Sequence, residues 1–160
     1  MSIDHLNQLN KSDLVRQLQT CCSSEQWSLS LAESAPFRDL PDLLEKSTRC
    51  WSRVSRAELM SALKGHPPIG VLKKGFSEEE QRQVQGSGHQ ILEALKEKNE
   101  QYQKQFGFVF LICATGKSGE DILRSLNSRL ENSKETELAI ASAQLNEINN
   151  IRLTKLTDSM

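Results

Sequence analysis

The sequence has no long hydrophobic run. Its longest apolar stretch, Phe106–Ala114, is far shorter than the roughly 20 residues that a membrane-spanning helix needs. No segment is typical of a secretory signal peptide. The closing residues, Asp158–Met160, do not match a peroxisomal address of the Ser-Lys-Leu type. We therefore expect no membrane partner.

An excess of charge of either sign is also lacking. Lys and Arg number 20 against 21 Asp and Glu, which gives a formal net charge of -1. Such a balance provides no general attraction to nucleic acid or to anionic membranes. Lys73-Lys74 is the only basic cluster of note, so a helical nucleic-acid-binding domain has little support and no nucleic-acid partner is expected. Any anionic ligand must be held by local positive groups.

Cysteines are few and are not arranged as metal ligands. The four cysteines, Cys21, Cys22, Cys50 and Cys113, show no C-x-x-C spacing and no clustered histidine. We expect reduced, mostly buried thiols, with no zinc site and no disulfide framework, and therefore a cytoplasmic protein.

The remaining composition is that of an ordinary globular protein. The chain has 160 residues, of which 37% are hydrophobic and 26% charged. This length favours one domain over residues 1–160 with a single core. Apolar residues recur mainly at helical spacing, so we predict an all-α, single-domain bundle of roughly seven to eight helices.

Helix starts can be placed from capping residues and apolar stripes. Ser12 is the candidate cap of a helix whose apolar face runs through Cys22, and Pro36 and Pro41 are expected to bracket a turn. Ser55 to Glu58 is typical of a capping box. Four other helices are predicted. One carries Trp27 and Leu31, one carries Leu43 to Val54, and one carries Ile122 to Leu130 after a Ser118 cap. The last runs from about Thr136 to Leu156 and has an inner stripe of Leu138, Ala141, Leu145, Ile148 and Arg152.

A second capping box, Ser77 to Glu80, predicts the start of one long helix. Its inner stripe would run from Val84 through Gly88 to Tyr102. The run Phe106–Ala114 that follows resembles a buried strand, but no other segment is convincingly β. We therefore expect this run to be extended or irregular and buried, or to form a short helix.

Three polar features depart from the pattern of a simple helical domain. The first is His66, which lies in the turn Gly65-His66-Pro67-Pro68-Ile69-Gly70. Proline restricts the backbone there, and an imidazole can exchange protons near neutral pH. A loop histidine without a role is the alternative.

The second feature is Ser77 with Glu80 and Gln81. Glu80 lies four residues before Val84 and Ser77 seven before it, so both are expected on the inward stripe. A carboxylate there needs a partner or takes part in chemistry, and a helix N-terminus offers N–H groups to an anion. The alternative is a routine capping box.

The third feature is Arg152, which takes the place of an aliphatic residue four positions after Ile148. Its guanidinium can bind a carboxylate or a ureido oxygen through paired hydrogen bonds. The alternative is a packed stem with the charged head in water. No Gly-x-Gly-x-x-Gly, P-loop or Gly-x-Ser-x-Gly sequence is present. The three features together indicate an acid/base pocket for a small anion.

The order of these motifs resembles the family of decarboxylases that act on 2-oxo-4-hydroxy-4-carboxy-5-ureidoimidazoline (OHCU). His66-Pro67-Pro68-Ile69-Gly70 is similar to the family's His-Pro-x-Ile-Gly, and Ser77-x-x-Glu80-Gln81 to its Ser-x-x-Glu-Gln. Further matches are Leu6-Asn7, Cys21-Cys22-Ser23-Ser24, Trp27, Pro36-Phe37, Trp51, Asn99-x-x-Tyr102, Phe106-Gly107, Phe110 to Ala114, and Ile148 to Arg152-Leu153. Pro68 and Ala35 stand where arginine is common in the family.

The resemblance implies an all-α homodimer without metal or organic cofactor that forms (S)-allantoin in urate breakdown. It assigns acid/base catalysis to His66 and substrate binding to Glu80. We expect Glu80 to lie near the substrate ring and to assist catalysis, because its charge would raise the proton affinity of His66. Substrate binding would involve Pro67, Ser77, Gln81 and Arg152, with backbone groups around Phe110, Ile112 and Ala114. The alternative function is a non-catalytic helical protein-interaction module.

Overall fold

The computed structural model describes residues 1–64 and 88–158, and in these ranges it is entirely helical apart from turns and irregular segments. The eight helices are α1 (Ile3–Gln8), α2 (Lys11–Gln19), α3 (Glu25–Glu33), α4 (Leu40–Trp51), α5 (Arg56–Lys64), α6 (His89–Phe106), α7 (Gly119–Arg129) and α8 (Lys134–Asp158). The predicted all-α class is confirmed. No helix in the described ranges is long and apolar enough to span a membrane.

The chain forms two compact units. The first unit consists of Met1–Ala62 and Asn146–Met160, and the second of Leu63–Leu145. In the first unit α3 packs against α2 and α4, and in the second α6 packs against α7. The first core includes Leu18, Trp27, Leu31 and Leu43, and the second Leu95, Tyr102, Phe110, Ile122 and Leu126, all essentially without solvent exposure.

The N-terminal helices begin at polar side chains that satisfy free backbone N–H groups. Asn10 caps α2, because its Oδ1 accepts a hydrogen bond from the N–H of Asp13 at 2.8 Å. The predicted Ser12 cap is therefore wrong by two residues. Cys21 and Cys22 lie after the end of α2, although both are buried as expected.

The turn that was expected between Pro36 and Pro41 is shorter than predicted. Pro41 lies in the first turn of α4, where proline is tolerated because its missing N–H would have no helical partner. Asp39 caps this helix by accepting from the N–H of Asp42 at 2.9 Å. The helix ends at Trp51, so Val54 lies outside it.

The predicted capping box of α5 is half confirmed. The Ser55 hydroxyl accepts from the N–H of Glu58 at 3.1 Å, as expected. The Glu58 carboxylate does not return to Ser55 but accepts from the Ser24 hydroxyl at 3.1 Å and the Gln26 N–H at 2.8 Å. Ser55 N–H donates instead to Gln26 Oε1 at 3.1 Å. These exchanged bonds tie the start of α5 to the start of α3.

The long helix predicted from Ser77 does not run unbroken to Tyr102, and the part of the prediction on residues 77–87 lies outside the described residues. Gly88, which was expected inside it, has extended backbone (φ -64°, ψ 157°) and forms the N-cap of α6. Since α6 begins only after this extended residue, its buried stripe gives no helical phase for Ser77 or Glu80. At the other end, α6 stops at Gly107, whose φ of 85° is readily adopted only by glycine.

The segment after α6 follows the prediction. Residues 107–117 form neither helix nor strand, yet Phe108 and Phe110 to Ala114 are buried. Ser118 and Asp121 then form the expected capping box of α7. The last helix, α8, begins and ends two residues beyond its predicted limits, and its predicted stripe is buried. All four cysteines are buried thiols that form no disulfide, as expected.

Candidate active site

Of the nine predicted site residues, five lie outside the described residues and four lie within them. His66, Pro67, Ser77, Glu80 and Gln81 lie outside the described residues. Phe110, Ile112 and Ala114 lie together on the buried segment of the second unit, and Arg152 lies on α8 in the first unit. These three residues are neighbours in the sequence, and the structure adds that their segment is buried and not helical.

Arg152 is buried, with 8% of its surface exposed. Its Nη1 donates a hydrogen bond to the carbonyl oxygen of Cys21 at 2.9 Å. The alternative of a charged head in water is therefore wrong. A guanidinium bound in this way is oriented before any anion arrives, which lowers the entropic cost of binding one.

The thiol of Cys22 is a neighbour of this arginine. Burial raises the pKa of Cys22, and the opposing influences of the Ser24 backbone, the Asn149 side chain and the Arg152 charge are smaller. The thiol therefore stays protonated at neutral pH and is a poor nucleophile. The chemistry available at this position is the positive charge of Arg152.

A second polar cluster lies in the core of the second unit and was not predicted from the sequence. Its centre is the carboxylate of Glu137, which has no solvent exposure. Oε1 accepts from the Tyr102 hydroxyl at 2.6 Å and from Arg129 Nε at 2.8 Å, and Oε2 accepts from Asn132 Nδ2 at 2.8 Å. We call these four residues the Glu137 cluster. A buried charge is tolerated when it is paired and hydrogen-bonded in this way.

Arg129 links the Glu137 cluster to the predicted substrate-binding segment. Its Nη1 donates to the carbonyl oxygen of Leu111 at 2.7 Å, and its Cζ lies 4.5 Å from the centroid of the Phe110 ring. A guanidinium over an aromatic face adds a cation–π attraction to these hydrogen bonds. The arginine thus holds both a side chain and a carbonyl group of this segment.

The backbone of Cys113 is held on the same segment. Its N–H donates to Gln144 Oε1 at 2.8 Å, and its carbonyl oxygen accepts from Lys117 Nζ at 2.8 Å. Among residues 1–64 and 88–158, by contrast, no hydrogen bond reaches the backbone N–H or C=O of Phe110 or Ile112. Buried backbone groups are rarely left without a partner, so these positions are suited to a polar ligand.

The sequence does contain a signal for Arg129 and Glu137. Arg129 lies seven residues after Ile122 and three after Leu126, and Glu137 lies four before Ala141. Both therefore occur on apolar stripes, which is the pattern that singled out Arg152. Gln144 has no comparable signal, because it adjoins the stripe of α8 rather than interrupting it.

Two shallow surface hollows lie elsewhere and contain none of the predicted site residues. One, of about 460 Å³, is lined by Leu44, Glu45, Thr48, Arg49, Ser52 and Asn150. The other, of about 520 Å³, is lined by His89, Gln90, Glu93, Ala94, Lys96, Glu97 and Glu100. The described residues hold no group of three or more His, Cys, Asp or Glu side chains that could bind a metal ion.

The described residues define a small all-α protein that has a buried arginine in each of its two units. Comparison with known proteins then identifies its family. The OHCU decarboxylase family model matches residues 7–154, and the chain belongs to this family. The predicted family is thereby confirmed.

Several curated relatives are longer than this chain. The uric acid degradation bifunctional protein PucL of Bacillus subtilis is 30% identical over 161 aligned residues, which cover 97% of this chain and 32% of that protein. The bifunctional protein TTL of Arabidopsis thaliana is 28% identical, over 86% of this chain and 45% of the relative. The chain thus spans less than half the length of these bifunctional relatives. A Xenopus laevis OHCU decarboxylase is 32% identical over 76% of this chain and 74% of the relative.

Solved structures share the fold. A crystal structure of an OHCU decarboxylase in the presence of (S)-allantoin matches with a TM-score of 0.82 and 28% identity, over 89% of this chain and 98% of that one. A crystal structure of an (S)-allantoin synthase matches with a TM-score of 0.75 at 19% identity, which supports the fold alone.

Proposed function

We propose that this chain decarboxylates OHCU to (S)-allantoin in urate breakdown. The observation that carries the proposal is the family match across residues 7–154. The buried, oriented guanidinium of Arg152 in the first unit supports the proposal, because it suits a negatively charged group. In the second unit, the backbone N–H and C=O groups of Phe110 and Ile112 have no hydrogen-bond partner among residues 1–64 and 88–158, and they suit a ureide group.

The substrate supplies its own electron sink. Its carboxylate is attached to a carbon beside a C=N bond. When the carbon–carbon bond to the carboxylate breaks, the electron pair moves toward that C=N bond, and the nitrogen takes a proton as CO₂ leaves. The resulting enol becomes the ring carbonyl when a proton adds to the carbon that bears the ureido group. The protein then needs only to orient the ring and to control proton transfer.

The roles of the residues follow from this chemistry. His66 accepts the proton of the substrate hydroxyl as the enol becomes the ring carbonyl, and the charge of Glu80 raises the proton affinity of His66. Arg152 and Ser77 hold the ureido and carbonyl oxygens. Pro67, Gln81 and the backbone around Phe110, Ile112 and Ala114 complete the binding surface. Proton delivery to one face of the ring sets the (S) configuration.

The oligomeric state, location and cofactor requirement of the enzyme are also proposed. It acts as a homodimer in the cytoplasm and needs neither a metal ion nor an organic cofactor. Full activity of protein treated with a chelator and dialysed would support the cofactor-free mechanism. Activity that is lost on dialysis and restored by a metal ion would contradict it.

The decisive assay follows the optical activity of the product. Urate is oxidised freshly and passed through a hydroxyisourate hydrolase, and circular dichroism then follows (S)-allantoin with and without this protein. We expect faster decay of OHCU and an excess of the (S) product. Spontaneous decay at an unchanged rate to racemic allantoin would reject the proposal and favour a non-catalytic helical protein-interaction module.

A further inference from the structure

We propose that Gln144 and Arg129 are positioning residues for this reaction, which aim the backbone N–H and C=O of Ile112 at the substrate. The inference rests on the proposed function, but its evidence is the geometry of two successive peptide units. Neither residue was assigned a role by the sequence motifs.

The first peptide unit joins Leu111 to Ile112. It is trans, so its C=O and N–H point in opposite directions. Arg129 Nη1 binds the Leu111 oxygen at 2.7 Å. The Ile112 N–H must therefore point away from Arg129.

The second peptide unit joins Ile112 to Cys113 and is also trans. Gln144 Oε1 accepts from the Cys113 N–H at 2.8 Å. The Ile112 C=O must therefore point away from Gln144. One side chain thus fixes the direction of the Ile112 donor, and the other fixes the direction of its acceptor.

Each holding group is itself restrained. Arg129 is bound through Nε to Glu137 at 2.8 Å and lies over the Phe110 ring, so its fork of donors has little freedom to rotate. Gln144 is on α8, in the middle of a 25-residue helix. The Ile112 groups are therefore held by side chains that are anchored on two different helices, α7 and α8.

The free-energy cost of leaving the Ile112 N–H and C=O without hydrogen bonds favours a ligand at this position. Ile112 is 7% exposed, and its N–H and C=O have no partner among residues 1–64 and 88–158. An unpaired buried donor and acceptor are unfavourable unless something binds them. A ligand with a carbonyl oxygen next to an N–H matches this pair, and both the ureido group and the imidazoline ring of OHCU have that arrangement.

The test compares two substitutions at one position. Gln144→Leu removes the acceptor, whereas Gln144→Glu keeps a carboxylate oxygen in its place. We expect Gln144→Leu to lower kcat/KM by about 10²-fold, the cost of misplacing a substrate by roughly 1 Å, and to lower the enantiomeric excess of allantoin. Gln144→Glu should retain most of the wild-type kcat/KM and most of the wild-type enantiomeric excess. A purely structural role would not be expected to change the enantiomeric excess.

Controls separate this inference from the proposed function. Ser47→Ala removes the hydrogen-bond partner of Trp27 Nε1 in the first unit, so it should lower stability while leaving kcat/KM and enantiomeric excess unchanged. If the wild type is inactive, the proposed function fails. If the wild type is active, then normal kinetics and stereoselectivity in Gln144→Leu, or equal losses in Gln144→Leu and Gln144→Glu, would overturn the positioning role.

A second variant covers a failure of Gln144→Leu to fold. Arg129→Lys keeps a positive charge for Glu137 but lacks the fork that also reaches the Leu111 oxygen. It should give the same loss of kcat/KM and enantiomeric excess. Retention of both in folded Arg129→Lys would contradict the proposal.

Discussion

The Tyr102 hydroxyl donates a 2.6 Å hydrogen bond to Oε1 of Glu137, a residue 35 positions later in the chain. Both side chains are fully buried. Burial raises the pKa of Tyr102, and the hydrogen bond to the Glu137 carboxylate raises it further, because an ionised phenol could no longer donate. The two residues therefore connect α6 to α8 through a group that resists ionisation.

We predict that Tyr102 does not ionise in the folded protein near pH 10, the ordinary tyrosine value. It is the only tyrosine in the chain, so tyrosinate absorbance reports on it alone. Because its pKa is raised on folding, its contribution to stability is complete below about pH 10 and is lost as the pH rises above that value. Native protein that titrates like urea-unfolded protein would contradict this.

Replacement of Glu137 should be among the most damaging changes in the second unit. Glu137→Leu leaves the charge of Arg129 buried without its partner, so we expect a loss of about 3–5 kcal/mol in the free energy of unfolding. Tyr102→Phe, which removes one hydrogen bond to the same carboxylate, should cost about 1.5–3 kcal/mol. Urea unfolding measures both. A smaller loss for Glu137→Leu than for Tyr102→Phe would count against the ion pair.

The capping box of α7 gives a milder prediction. Ser118→Ala removes the acceptor for the Asp121 N–H, which it holds at 3.2 Å, and should cost about 1 kcal/mol of stability. Ser128→Ala, at an exposed position inside the same helix, is the matched control and should be neutral or slightly stabilising. Equal thermal midpoints for the two variants would show that the cap contributes nothing measurable.

Asp42 provides a test of pH dependence. The Arg38 backbone N–H, at 3.0 Å, and its guanidinium, at 3.1 Å, hold the pKa of Asp42 well below its usual value, and Lys46 assists. Since the pKa falls on folding, this carboxylate stabilises the protein above about pH 4, and the contribution is lost as the pH falls further.

Asp42→Asn should accordingly be less stable than the wild type at pH 7. The difference should shrink as unfolding is measured in progressively more acid buffer. Glu45→Gln, at an exposed position on the same helix, is the control and should show a much smaller difference at either pH. A constant gap between Asp42→Asn and the wild type from neutral to acid pH would exclude the electrostatic cause.

The activity prediction concerns His66. His66→Asn should lower turnover of OHCU by at least about 10²-fold, within the range typical of general acid/base assistance, and leave the far-ultraviolet circular dichroism unchanged. His89→Asn, a change at an exposed histidine at the start of α6, should retain full activity. Near-normal turnover in His66→Asn would remove the imidazole from the mechanism.

Local signals predicted the helices well and their limits less well. Ser118 and Ser55 cap helices as expected because the bonds involved lie within four residues. The expected bond between the Ser55 N–H and the Glu58 carboxylate is replaced by bonds to Gln26 and Ser24, which are about thirty residues away in sequence. A tertiary exchange of this kind leaves no trace in a local motif.

The candidate site was predicted in part for a similar reason. Arg152 was found because a charge interrupts an apolar stripe, and its burial confirms the inward position. The inward phase of Glu80 depended on an uninterrupted helix, which the extended backbone of Gly88 excludes. The partners of Leu111 and Cys113 could not be predicted, because a backbone hydrogen bond to a distant side chain depends on packing rather than on residue type.

Because every thiol is buried, alkylation of the cysteines measures the rates of local and global unfolding. Cys21, Cys22 and Cys50 belong to the first unit and Cys113 to the second, so an alkylating reagent reaches each only after local or global opening. Mass spectrometry can then count modification at each position separately under native conditions. Equal alkylation rates at Cys113 and at the other three cysteines would mean that the two units open together in one cooperative step. Unequal alkylation rates would rank the two units by their opening free energies.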